Sequence, residues 1–278
     1  MAAEVDWLSA HATDADKRKH AVEREAPRHY LDWDAPALSC LDTLGVAPSY
    51  SMALGACTED SLWEYGVIPW QLEWSHRKLV EAFDCQDREG ILRAASDLGH
   101  YVADAHVPLH TTLNYNGQLS GQEGIHSVWE TRLPELYGGG YRLFVEEVGY
   151  VADVRFWAWD VVRESHALVA PLLAAERMIS EERPEFDHVR EERGGSMQLL
   201  RSEPWCAEYH RALEGMVESR WRASIRGVAA LWYTAWVDAG SPDLSDVLGP
   251  PRRGFLRCRS NRGKNRGRDK GIGQAPVP

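Results

Sequence analysis

Apolar residues recur every three or four positions through most of the chain, as in Leu79, Phe83, Ile91, Leu92, Ala95, Leu98 and Val102. On a helix that spacing stacks side chains along one face. Alternating runs of β-branched residues are scarce, so the pattern predicts an all-α fold, a single multi-helix domain. Helices are expected over about residues 6–23, 59–84 with a break at Pro69, 88–106, 126–137 and 151–179. The longest pattern runs from Tyr209 to Val237. There Leu213, Met216, Trp221, Ile225, Val228, Leu231, Trp232 and Ala235 form a broad apolar face, and Gly240 before Pro242 gives the stop. Residues 111–125 are polar and Gly-rich and read as a loop. No period of roughly 20–50 residues repeats, which excludes a solenoid.

The pattern lapses near Pro250, beyond which Arg, Gly, Lys, Asn and Ser dominate. Residues 1–248 are therefore expected to form the domain and 249–278 a disordered basic tail. The tail conceals a charge asymmetry. Residues 251–278 hold nine Lys and Arg against Asp269, which leaves the first 250 residues with 22 basic and 41 acidic side chains, a net of −19. A body so acidic repels long polyanions within a Debye length, so nucleic acid is expected only as a substrate or through the tail.

No apolar run approaches the roughly 20 residues that span a bilayer, so stable membrane insertion is not expected. The first thirty residues show no basic start followed by an apolar stretch, hence no signal peptide in the chain as written. The cysteines, Cys40, Cys57, Cys85, Cys206 and Cys258, contain no Cys-x-x-Cys pair. Cys40 and Cys57 could pair across a loop outside the cytoplasm, and an odd count of buried thiols fits the same residues.

The chemistry concentrates in Gly99-His100-Tyr101-Val102-Ala103-Asp104-Ala105-His106-Val107-Pro108-Leu109-His110. On a helix His100 and Asp104, four residues apart, project from one face and can hold one metal ion. Pro108 stops that helix and leaves His110 where the chain turns away. His126 and Glu130 repeat the four-residue device beyond the loop. One such pair is ordinarily a surface pair. Two, joined by a third His and free of thiolates, describe a hydrolytic zinc cluster with open coordination positions. His106 faces away from His100 on the same helix. It joins Asn114 and Tyr115, in the intervening loop, as a candidate substrate contact. Asp32, Asp97 and Glu123 are candidates to orient the histidine rings.

The run His-x-x-x-Asp-x-x-x-Pro-Leu-His followed by His-x-x-Trp-Glu resembles the bacterial zinc-dependent phospholipase C superfamily, which includes the fungal single-strand-specific nucleases. Upstream, Ala26-Pro27-Arg28-His29-Tyr30-Leu31-Asp32 resembles the segment carrying another zinc-binding His, and Asp14-Ala15-Asp16-Lys17-Arg18 the segment carrying an Asp. Trp232 to Gly240 resembles the closing helix, so the likeness covers about residues 8–248. It implies one zinc held by Asp16, His29, His100 and Asp104, with Asp14 a rival for Asp16, and a second held by His110, His126 and Glu130. The family's third zinc uses an N-terminal Trp, a nearby His and the Asp that matches Asp104. This chain begins Met1-Ala2-Ala3-Glu4-Val5, and neither Trp7 nor His11 stands at the matching position. The resemblance thus implies an N-terminally shortened form with two zinc sites, and a third when the missing segment is restored.

The expected function is zinc-dependent hydrolysis of phosphate esters, as a phosphodiesterase of nuclease or phospholipase C type, with Asp16 orienting or deprotonating the nucleophilic water. The substrate class stays open among phospholipids, single-stranded nucleic acid and small phosphate esters, and the pattern says nothing of oligomeric state. The alternative is a zinc-stabilised but inactive homologue. Resemblance also implies a periplasmic or secreted protein.

Overall fold

The computed structural model describes residues 2–183, 188–193 and 195–247. The predicted tail, 249–278, lies outside the described residues. In order, the helices are α1 (Ala2–His11), α2 (Asp14–Arg18), α3 (Tyr50–Ala56), α4 (Glu59–Tyr65), α5 (Ile68–Asp84), α6 (Arg88–Ala105) and α7 (Ile125–Ser127). After them come α8 (Leu133–Tyr137), α9 (Val154–Ala167), α10 (Val169–Glu182), α11 (Glu203–Ala212), α12 (Met216–Asp238) and α13 (Leu244–Val247). Short 3-10 turns at Ala26–His29, Pro36–Thr43, Pro108–Thr111 and Gly138–Gly140 join them, and a π turn at Val128–Arg132 continues α7. Among the described residues the fold is all-α apart from one antiparallel hairpin, β1 (His188–Arg193) with β2 (Ser196–Arg201).

Several expected helices are divided. The 6–23 segment breaks after His11. The break expected at Pro69 falls earlier, because Pro69 sits in the first turn of α5, where its missing N–H costs nothing. Gly66 makes the turn instead, at φ +97°, and a Cβ there would lie 2.1 Å from the Tyr30 carbonyl oxygen. The 151–179 segment divides at Leu168. Tyr209 belongs to α11, because Glu214 and Gly215, both at positive φ, part α11 from α12. The hairpin was not expected. Arg193 pairs with Ser196, and in the sequence the Gly-Gly dipeptide between them is a hairpin signal that the short flanking runs obscured.

Helices α5, α6, α9 and α12 enclose the larger core around Leu72, Leu79, Leu98, Val102, Trp159, Val162, Leu231 and Ala235. Trp70 and Trp159 both donate their indole N–H to the Pro48 carbonyl, which ties the 36–50 segment to that core. A second cluster holds Leu109, Trp129, Leu133, Leu172, Trp205, Tyr209 and Val217. Each such buried side chain contributes about 2 kcal/mol, more than any helix propensity involved. The chain crosses from the first cluster to the second between Ala105 and Leu109, and the candidate site lies at that crossing.

The Cys40 and Cys57 sulfurs are bonded, with Cα atoms 5.7 Å apart. Cys206 is the free thiol among the described cysteines, and it is buried. No helix among the described residues is long and apolar enough to cross a membrane.

Candidate metal centre

Each candidate ligand is placed by a local constraint. His29 ends the 3-10 turn opened by Ala26-Pro27, and the strand of chain after it is clamped by Leu31 N–H to His110 O at 2.9 Å and Ile68 N–H to Tyr30 O at 3.2 Å. His100 and Asp104 lie one turn apart on α6. Pro108 ends that run and starts the turn that carries His110. His126 and Glu130 come from α7 and its π continuation.

These segments bring two sets of donor atoms together. In the first, Nδ1 of His29 lies 3.2 Å from Nε2 of His100, and Oδ2 of Asp104 lies 2.7 Å and 3.2 Å from those two atoms. Oδ1 of Asp16 stands 3.8 Å from His29 and 3.5 Å from His100. In the second, Nε2 of His110 is 3.3 Å from Nε2 of His126 and 3.2 Å from Glu130 Oε1, while Glu130 Oε2 is 2.9 Å from His126. Donors about 2 Å from a tetrahedral zinc are about 3.3 Å from one another, so both sets have the spacing of a metal's coordination shell. The other carboxylate oxygen of Asp104 lies 3.6 Å from His110 Nδ1, on the edge of that ring turned away from the second set.

The ring nitrogens turned away from the donor sets are anchored by backbone. Nδ1 donates to Ala12 O from His100, to His29 O from His110 and to Tyr115 O from His126. The carboxylates expected to do this are elsewhere: Asp97 pairs with Arg18, Glu123 is exposed, and Asp32 is buried near Asp34. Carbonyls of the adjoining turns already fill the space beside the rings. His29 differs, since its Nε2 is buried without a hydrogen-bond partner and lies 4.0 Å from Glu25 Oε1. Glu25, itself buried, accepts from Tyr101 and Arg18.

Electrostatics keep the carboxylates ionised. Burial alone would raise Asp104, but the His110 charge and hydrogen bonds from His100 and His29 overcome it and hold the carboxyl below the usual range. The hydrogen bond from His100 lowers Asp16 against the opposing effect of burial. Burial lowers His100 and His110, yet the carboxylates prevail, Asp104 and Asp16 lifting His100 to about 10, Asp104 and Glu130 lifting His110 to about 9. Where cations are that strongly favoured, a metal ion is a fitting replacement for the protons.

The two rivals near the N-terminus separate clearly. Asp16 faces the ligand histidines, whereas Asp14 pairs with Lys17 at the surface. Trp7 and His11 stack on each other at 3.8 Å, with His11 Nδ1 donating to Trp7 O, and neither joins a donor set. Asn114 closes its own loop through Ser120 and Leu119, which is turn chemistry. Tyr115 is half exposed, and its carbonyl orients His126.

A cleft of about 590 Å³ opens beside the donors, lined by Asp16, Asp104, His106, Glu130, Arg220 and Trp221 among others. His106 thus reaches the site region after all. Burial and the Arg220 charge push it down to about 3, so it is neutral, donating through Nδ1 to Val102 O. The α12 wall, Arg220, Trp221, Ser224 and Ile225, was missed. Trp221 and Ile225 read in the sequence as core because they share the apolar spacing of α12. Arg220, buried beside them, carried no motif.

No protein-family model matches the chain, and no solved structure matches it to a significant degree. Among curated proteins, Nuclease S1 of Aspergillus oryzae (strain ATCC 42149 / RIB 40) is 28% identical over 152 residues, 50% of this chain and 46% of that protein. The chain spans about half the length of the curated relative it matches. That likeness supports the resemblance to the single-strand-specific nuclease and phospholipase C superfamily carried by the His, Asp and Glu motifs.

Proposed function

We propose that the chain is a zinc-dependent hydrolase of phosphodiesters. The observation that carries this reading is the pair of donor sets, Asp16, His29, His100 and Asp104 beside His110, His126 and Glu130, held at coordination spacing without a thiolate. Nitrogen and carboxylate donors of this kind suit zinc, and the second set, with three donors, leaves a coordination position for substrate. Zinc held there would withdraw charge from a phosphate and lower the pKa of water toward 7.

The chain's own groups do the rest. Asp104 completes the first set, its Oδ2 within 3.2 Å of both His29 and His100. Asp16 borders the cleft with its side chain 45% exposed and its carboxyl ionised, so it is the group to orient the attacking water and accept its proton. Water oxygen bonds to phosphorus as the ester P–O bond breaks, and the departing oxygen takes a proton from solvent. The Cys40–Cys57 bond and the likeness to Nuclease S1 support an oxidising, extracytoplasmic location.

A second reading rests on Trp7 and His11, which pair with each other rather than with Asp104. In it the zincs only hold the helices together. Zinc content and hydrolysis of bis(p-nitrophenyl) phosphate, before and after chelation, separate the two. Zinc-dependent turnover supports the hydrolase. Bound zinc without turnover on any phosphodiester supports the structural reading, and absence of stoichiometric zinc overturns both.

A further inference from the structure

The β1–β2 hairpin contributes no metal donor, yet each of its strands reaches a segment that carries one. From β1, Glu191 accepts from Nη1 and Nη2 of Arg132, at 3.2 Å and 2.6 Å. Arg132 is buried, and it closes the π turn that carries Glu130 two residues earlier. From β2, Arg201 donates to Oε1 of Glu176 at 2.7 Å. The other oxygen of that buried carboxylate accepts from Gln122 Nε2 at 2.5 Å. Gln122 is buried as well, four residues before His126.

Gln122 organises the loop that leads into His126. Its N–H donates to Gly117 O, and its carbonyl accepts from Ile125, the residue before His126. Gly117 turns at φ +76°, where a Cβ would lie 2.3 Å from Gln122 O, so the loop closes there with no room for a side chain. The same loop supplies the Tyr115 carbonyl that takes the His126 Nδ1 proton. The tie from Gln122 to Glu176 therefore holds both the chain entering His126 and the carbonyl that orients its ring.

A lone two-stranded hairpin is marginally stable in water, and this one turns Met197 and Leu199 outward, each 63% exposed. Its ties to the body therefore decide its order. A two-pronged Arg–carboxylate pair fixes direction as well as distance, and cutting it at one end leaves a buried charge that must shift to find water. A shift at Arg132 carries Glu130 with it. A shift at Glu176 carries Gln122 and then His126. The second set has three donors and loses one in either case. The first set stands on α2, α6 and the Ala26–His29 turn, which these two ties do not reach.

We propose that the hairpin is a clasp for the second donor set, with Glu191 acting through Arg132, and Arg201 through Glu176 and Gln122, to hold Glu130 and His126 at coordination spacing. Arg132 and Gln122 are positioning residues, and the zinc at the second set is the one released when the hairpin loosens. This inference rests on the zinc part of the reading above, whatever ester is cleaved.

The test follows zinc release from the full chain to pyridylazoresorcinol, a chelator that changes colour as it takes the metal. The His110→Ala, His126→Ala variant identifies the step that belongs to the second set, because that step is missing from it. Glu191→Gln and Gln122→Leu should each weaken zinc in that step by about tenfold or more and leave the other step unchanged. Glu192→Gln, on the opposite and exposed face of β1, should change neither. Circular dichroism confirms that the variants fold, and Glu191→Gln, the milder change, decides by itself if Gln122→Leu does not. A purely structural role would loosen both steps together, and that result overturns the clasp. An unchanged second step in the folded variants overturns it too, and leaves the zinc reading standing. A wild type that holds no zinc overturns the zinc reading and the clasp together.

Discussion

The Nε2 atoms of His110 and His126 face each other at 3.3 Å, and Glu130 closes the triangle from 3.2 Å and 2.9 Å. Both Nδ1 atoms donate to carbonyls, so the facing nitrogens present lone pairs, or share a proton, toward one point. A cation at that point relieves the repulsion. Plasma mass spectrometry on protein purified without chelator should find about two zinc ions per chain, falling to about one in a His110→Ala, His126→Ala variant. Equal zinc in both proteins would remove the second set from the metal site.

The positions of Asp14 and Asp16 give opposite outcomes for one chemical change. Asp16→Asn removes a charge that faces His29 and His100, and kcat/KM on a diester should drop by about 10² or more. Asp14→Asn removes a surface partner of Lys17 and should leave the rate within about twofold. A reversed order in steady-state assays would put the first donor set on Asp14.

Much of this was legible along the chain, for identifiable reasons. His100 with Asp104 and His126 with Glu130 can be read because a four-residue spacing fixes direction on a helix. His29 and Asp16 came only through the resemblance, since the turn that carries His29 and the short α2 have no periodicity to read. Backbone carbonyls at Ala12, His29 and Tyr115 orient the rings, and no side-chain pattern marks a carbonyl. Trp221 illustrates the converse, because the apolar spacing that buries one part of a helix face also lines a cleft with another.

The Cys40–Cys57 bond joins residues 17 apart, tying the 3-10 turn Pro36–Thr43 to the end of α3. Closing a loop of that length stabilises the fold by about 3 kcal/mol, chiefly by restricting the unfolded chain. A Cys40→Ser, Cys57→Ser variant should lose about that much in urea unfolding while keeping its zinc. A loss below about 1 kcal/mol would mean that the 36–57 segment is held by its packing on Trp70 and Trp159 alone.

Burial pushes the Cys206 thiol from 9.0 up to about 11. A group whose proton is held more tightly in the folded state contributes stability that is complete below the unfolded value and lost as pH rises through the folded one. The wild type should therefore lose more stability between pH 9 and 11 than Cys206→Ala does, as read from urea midpoints. Native protein at pH 8 should also react with Ellman's reagent only as fast as it unfolds. Rapid native labelling would show that the thiol is exposed and ionised.

Two helical glycines near the site should respond in opposite directions to alanine. At Gly99 in α6 a Cβ would meet Val228 and Trp232 side chains at 3.6–3.9 Å, ordinary contact distances. Gly99→Ala should then stabilise the protein by up to about 1 kcal/mol, since alanine restricts the unfolded chain and favours the helix. At Gly227 in α12 the same carbon would lie 2.9 Å from Trp157 Cζ2 and 3.2 Å from His106 Cε1. Both rings are packed, so neither can retreat freely, and overpacking should cost about 1–3 kcal/mol, outweighing the helical gain. Because His106 lines the cleft and its carbonyl holds Arg220, Gly227→Ala should also raise KM for a diester while Gly99→Ala does not. Urea midpoints for the pair check the sign. Stabilisation at both positions would show that α12 can move away from Trp157 and His106, and that the cleft wall is less rigid than its hydrogen bonds imply.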